Sequence, residues 1–238
     1  MPDFQLPPPK AGVVTFLDVL GWKGVYDRKR DAIESLSELV EGLRTQAELL
    51  RGNLTRDVVI KSISDTIGIF TLCAEQEAST AIDAHGELCA WVIPQSIISE
   101  IPVRGATAFG DFELGENIFV GRAIDEAAAW HEQTDWIGVH LTPSAEYMFS
   151  PAPEQKTWAR YTPPHKMRLN WMPHCVNWTN KWRNRVDEIS RLKSKFRLLG
   201  PIMPEIAGKF VNTLNFIEHI QPTERPVGVP TSGRSETN

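Results

Sequence analysis

Short apolar runs alternate along this chain with longer segments of helical spacing. Val13-Val14-Thr15-Phe16-Leu17 is an unbroken β-branched and apolar run, which predicts a strand buried in the middle of a sheet. The run stops at Asp18, and Gly21 and Gly24 follow in a short loop. Over residues 27–51, Ile33, Leu36, Leu39, Val40, Leu43, Ala47 and Leu50 recur at the period of a helix, with charged residues between them. Residues 58–63 predict a second strand, Ser64-Asp65-Thr66 a tight turn, and residues 67–72 a third strand. A second helix is expected over residues 77–92, ended by Pro94, and a fourth strand over 103–109.

The order βαββαβ is the split arrangement of ferredoxin-like α+β domains. Its geometry follows from chain connectivity. A helical crossover makes the first two strands parallel, and the third returns antiparallel between them. The end of the first strand and the turn of the hairpin therefore share one edge of the sheet. Asp18 sits at the first and Asp65 at the second, so two carboxylates distant in sequence are expected to converge.

Further strands are expected at residues 116–120, 136–141 and 169–178, and a helix at 123–133. A helix over 182–199 carries Val186, Ile189, Leu192, Phe196 and Leu199 on one face, and a last helix covers 204–219. Residues 1–220 read as one domain. The tail 221–238, rich in Pro, Thr, Ser and Gly, is expected to be disordered.

Composition narrows the function classes. The net charge of −5 argues against a protein built to coat nucleic acid. No apolar stretch approaches the roughly 20 residues that span a bilayer, and the proline-rich start lacks the apolar core of a signal peptide. The expectation is a cytoplasmic protein without nucleic-acid or membrane partners. Cys73, Cys89 and Cys175 have no paired or metal-type spacing and read as buried or free thiols. No phosphate-loop or Rossmann glycine motif is present, and the segment from His131 to Asp135 lacks the second histidine of a zinc-protease helix. The basic residues from Lys181 to Arg197 fit a solvated amphipathic helix better than a nucleic-acid surface.

The chemistry therefore rests on the two aspartates. Asp18 ends an apolar strand, where an unpaired charge would cost several kcal/mol and calls for a cation. Divalent magnesium and manganese take hard oxygen ligands, commonly one or two carboxylates completed by substrate phosphates. The plainer alternatives are that Asp18 accepts backbone donors from the loop after it, and that Asp65 merely suits a turn.

Phe16-Leu17-Asp18-Val19-Leu20-Gly21-Trp22-Lys23 and Ile63-Ser64-Asp65-Thr66-Ile67-Gly68 resemble the two metal-binding segments of class III nucleotide cyclases. The run from Arg104 to Gly110 resembles the family's later core strand, and the run from Val120 to Ala129 its glycine-started helix. The resemblance covers residues 13–145 and implies a palm-type core with extra strands and C-terminal helices. It implies Mn²⁺ or Mg²⁺, two ions per site, at Asp18, Val19 and Asp65, with Asp18 and Asp65 catalytic. Leu20, Gly21, Trp22, Lys61 and Arg122 become substrate-binding candidates. A homodimer with shared active sites is implied as well.

Two departures bear on the substrate. Asp125 and Ala129 stand where purine cyclases carry an asparagine and an arginine, and Ile118 stands where an aspartate partners the lysine matched by Lys61. The pattern is most similar to bacterial antiphage (Pycsar) pyrimidine cyclases, which make cyclic UMP or cyclic CMP for a separate effector. UTP is the favoured substrate. Cytidylate or purine cyclisation, or an inactive nucleotide-binding regulator, remain the alternatives.

Overall fold

β1 (Lys10–Val19) lies in the middle of the sheet, paired antiparallel to β3 (Thr66–Leu72) on one side and to β4 (Val103–Leu114) on the other. Its residues from Gly12 to Leu17 are all buried, as an apolar run without alternation requires. The computed structural model describes residues 10–51, 57–115, 118–179, 186–199 and 204–220. The disordered-tail expectation at 221–238 falls outside them.

The sheet order is β2-β3-β1-β4-β6-β8-β7. Here β2 is Val59–Ile63, β6 Val139–Leu141, β7 Trp158–Arg160 and β8 His174–Val176, and the two-residue β5 (Phe119–Val120) pairs with β4. Its first four strands have the ferredoxin-like order expected from connectivity, with β3 between the parallel β1 and β2. β6 adds parallel to β4 and carries the sheet outward.

Two apolar layers hold the elements. On one face, α2 (Ala32–Leu50) and α3 (Ala78–Ile98) pack Leu36, Leu39, Leu43, Ile82, Leu88 and Val92 against Leu17, Ile67 and Val139. On the other, α4 (Arg122–His131) packs Ala123, Ile124 and Ala127 against Val14, Phe16, Phe70, Ala108 and Phe112. Phe119 completes this second layer, its ring centroid 5.7 Å from that of Phe16 and 5.4 Å from that of Phe70.

Several expectations are corrected. The first helix is split: α1 (Val25–Arg28) stops where Lys29 takes an extended backbone, and α2 begins at Ala32. Pro94 does not end α3 but lies inside it. The surroundings explain why, since Ile93, Pro94 and Ile97 are all buried, and that burial offsets the roughly 3 kcal/mol cost of an internal proline. β1 ends at Val19, one residue beyond the Asp18 end expected. β7 and the short α5 (Pro143–Met148) lacked a periodic pattern long enough to predict them. The strands expected at 136–141 and 169–178 shrink to three residues each.

α6 (Val186–Leu199) buries Leu192 and Phe196, and α7 (Pro204–Ile220) seats Phe216 edge-on against Trp136 at 4.7 Å. All three cysteines are free and buried. Among the described residues, no helix is long and apolar enough to cross a membrane.

Candidate active site

The site is built where three strands meet at one edge. Asp18 on β1 lies opposite Thr66 of β3 and opposite Arg104 of β4. Ser64 and Asp65 form the two-residue turn between β2 and β3, with Ser64 in the left-handed region at φ 56°. The Val19 N–H donates to the Asp65 carbonyl at 3.1 Å, which ties the turn to the end of β1. Two carboxylates 47 positions apart are thus brought together.

Cross-strand pairing also settles which face each side chain uses, because directly paired residues point the same way. Phe16 and Phe70 point toward α4, so Asp18, Thr66, Arg104 and Lys61 lie on that face as well.

Arg104 is the residue that sequence reasoning missed as a site member. Its Nε and Nη2 donate to Asp18 Oδ2 at 3.3 and 3.2 Å, and its Nη1 donates to the Thr134 carbonyl at 3.3 Å and, more weakly, to that of Glu132 at 3.5 Å. Burial pushes the Asp18 carboxyl above its ordinary value, and the Arg104 guanidinium opposes that push. The Asp65 charge is near enough to raise it further. The signal for Arg104 was present, since it is a charge opening an apolar strand, as Asp18 is a charge closing one.

The donor set suits a hard divalent cation. Asp18 and Asp65 offer carboxylate oxygens, and Val19, whose apolar side chain is buried, can contribute only its backbone carbonyl. Among the described residues there is no cluster of three or more His, Cys, Asp or Glu side chains able to hold an ion alone. An ion at Asp18 and Asp65 would draw its remaining ligands from water and from phosphate oxygens.

The other candidates are placed as follows. Leu20 is half-buried, and its amide is committed to the Pro102 carbonyl at 2.8 Å. Gly21 and Gly24 take φ 74° and 73°, which bend the loop back so that the Trp22 carbonyl accepts the Val25 amide at 2.9 Å. Trp22 packs partly against the main core and lines a cleft of about 340 Å³ with Ile33, Leu36, Val40, Arg44 and Ser64. That cleft opens on the α2 side of the hairpin, away from Asp18. Lys61 lies two strands and two residues from Asp18, about 12 Å away by strand geometry, and donates to the Gly115 carbonyl.

Arg122 is not brought to the aspartates within one chain. It opens α4, pairs with Asp111 and is 83% exposed. Asp111 pairs with Ala11 where Arg104 pairs with Asp18, so seven positions, about 23 Å of strand, separate the two places.

No known family's sequence model matches this chain, and no curated protein does. Its fold is shared with the catalytic core of a rhodopsin-guanylyl cyclase with converted specificity, solved in complex with ATPalphaS. The likeness has a TM-score of 0.52 at 15% identity and covers 71% of this chain and 96% of that one. Two further structures are less alike. One is the guanylyl cyclase Cya2, with TM-score 0.44, 10% identity and coverage of 70% and 90%. The other is a bacterial light-regulated adenylyl cyclase, with TM-score 0.45 and 12% identity, where 82% of this chain spans 60% of the other's length.

Proposed function

We propose that the protein is a divalent-metal-dependent nucleotide cyclase that converts a pyrimidine nucleoside triphosphate, UTP foremost, to its 3′,5′-cyclic monophosphate and pyrophosphate. The observation that carries this reading is the convergence of Asp18 and Asp65 at one sheet edge, on a fold shared with a guanylyl cyclase core. Mn²⁺ or Mg²⁺ ions bound there would supply Lewis acidity to the ribose 3′-hydroxyl and the α-phosphate. The chain's own part is to hold Asp18, Asp65 and the Val19 carbonyl in place, so that the 3′-hydroxyl meets the α-phosphorus in line with the departing pyrophosphate.

Support for a pyrimidine comes from the surroundings of Lys61. It docks on the Gly115 carbonyl, beside Ile118, where the cyclases it resembles place an aspartate. Asp125 and Ala129 likewise replace the helix asparagine and arginine. In this reading each site is completed by a second copy of the chain, and Arg122 serves the partner's aspartates. The cyclic nucleotide acts as a second messenger in antiviral defence, made in the cytoplasm and read by a separate effector, as the resemblance implies.

One incubation tests the reading. Pure protein is mixed with each of the four ribonucleoside triphosphates and Mn²⁺, and the products are separated chromatographically. Cyclic UMP as the main product is expected. Cyclic AMP or cyclic GMP instead would overturn the pyrimidine assignment. The replacement of the transition-state pair by Asp125 and Ala129 favours a second reading, an inactive nucleotide-binding regulator. Nucleotide binding without pyrophosphate release would establish that one.

A further inference from the structure

Arg104 is buried, 8% exposed, and its guanidinium is fixed from two directions. From β1 it is held by Asp18, and from the far side by the carbonyls of Glu132 and Thr134 just beyond α4. Those carbonyls stand at the negative end of a helix, which favours a cation. They are fixed in turn, since the Asp135 N–H donates to the Pro164 carbonyl at 2.8 Å and the Lys166 N–H to that of Gln133 at 2.8 Å. A guanidinium held this way cannot swing aside when another cation arrives. Both of its contacts to Asp18 fall on Oδ2, so Oδ1 is not used by it. The two aspartates and Arg104 together carry a net charge of −1 rather than −2.

Resting on the cyclase reading above, we infer that Arg104 is a positioning residue and internal counter-cation for Asp18. It clamps Oδ2, presents Oδ1 to the metal, and keeps the aspartate pair from capturing a divalent ion before the triphosphate arrives. Half of the pair's charge is already answered, so a free ion meets a weak site. An ion carried on a triphosphate brings its own oxygen ligands and needs less from the protein. The metal is thereby admitted with the substrate rather than ahead of it.

The test measures Mn²⁺ affinity without nucleotide, by the electron paramagnetic resonance signal of the free ion, beside kcat and KM with nucleotide. Arg104→Met removes the positive charge and is expected to bind free Mn²⁺ about tenfold more tightly, while kcat falls about a hundredfold because Asp18 is no longer held. A residue that only supported the fold would give the opposite sign, weaker metal binding together with lost turnover. Arg104→Lys keeps the charge as a single point instead of a fork. Its free-metal affinity should stay within about twofold of wild type, with unchanged KM and kcat reduced about tenfold. If Arg104→Met does not fold, Arg104→Lys decides alone, and an unchanged kcat overturns the inference. Wild type that binds manganese–nucleotide, with unaltered or weaker free-metal affinity in Arg104→Met, overturns the inference alone. Wild type that binds no manganese with any triphosphate overturns the cyclase reading and the inference with it.

Discussion

Asp18 and Asp65 carry the same charge in unlike settings, and removing each should have unlike consequences. Asp65 sits half-exposed on a turn, and it is its backbone carbonyl that holds the end of β1. Asp65→Ala should therefore abolish turnover while moving the melting temperature by no more than about 2 °C. Asp18 neutralises a buried arginine. Asp18→Ala leaves that guanidinium with carbonyls alone and should cost about 3 kcal/mol in addition to activity. Asp18→Asn keeps an oxygen acceptor and should recover much of the stability but none of the turnover. Parallel melts and manganese assays check all three, and an Asp18→Ala protein as stable as Asp65→Ala would mean the Arg104 pairing contributes nothing. Asp18 and Asp65 were both readable from residue type and connectivity. Arg104 was readable only as a charge opening an apolar strand, and its role exists only once β4 lies beside β1.

At the scale of elements, a buried polar chain fixes how strands and helix meet. Thr15 on β1 shares a hydrogen bond with Thr107 on β4 at 2.7 Å and with His85 Nδ1 on α3 at 2.8 Å, and His85 Nε2 meets Thr71 on β3 at 3.0 Å. A one-residue slip of any strand would break this chain and turn apolar residues outward. Burial pushes His85 down to about 3 from an ordinary 6.5, and His140, packed among Trp130, His165 and Trp171, is pushed equally low. Both stay neutral in the fold. Below pH 6.5 the unfolded chain takes up protons that the folded one refuses, so stability falls as pH drops toward 3 and is level above 6.5. Each such histidine costs up to about 1.4 kcal/mol per pH unit in that window. The Glu146 carboxyl opposes its own burial by hydrogen bonding to His174, lies below its ordinary 4.5, and adds a loss of the same sign below that value. Melting curves from pH 8 to pH 4 should show the fall starting near 6.5, and His140→Phe should make it shallower, with the His85 contribution remaining. A wild-type curve level from pH 6.5 to 4.5 would contradict the assignment of neutral buried imidazoles.

For the whole molecule, what is left uncovered matters most. α4 covers β1 and β4 on the aspartate face, but among the described residues no helix covers the β2–β3 half of that face. There Val59 is 37% and Ile63 49% exposed, and the adjoining β4–β5 hairpin exposes Ile118 and Val120 at 68% and 55%. Val59 and Ile63, exposed apolar groups on the face that holds the candidate site, fit a second copy of the chain as their cover. Ile63→Asp should shift the protein to monomer by light scattering and reduce turnover at least about tenfold, with activity partly recovered at higher protein concentration. A wild type that is monomeric at micromolar concentration and fully active would rule out shared sites.

The sequence by itself determined the sheet core and the meeting of its two aspartates. Apolar periodicity identifies strands and helices, and chain connectivity then allows few ways to join βαββαβ. Tertiary structure decided what periodicity cannot carry. Pro94 stays helical because its surroundings are buried, and the short β7 and α5 form only against neighbours already in place. The partner of Asp18 was decided the same way. Arg104 lies 86 positions away along the chain and is adjacent to it in the sheet, and cross-strand register is a property of the folded chain that no local pattern encodes.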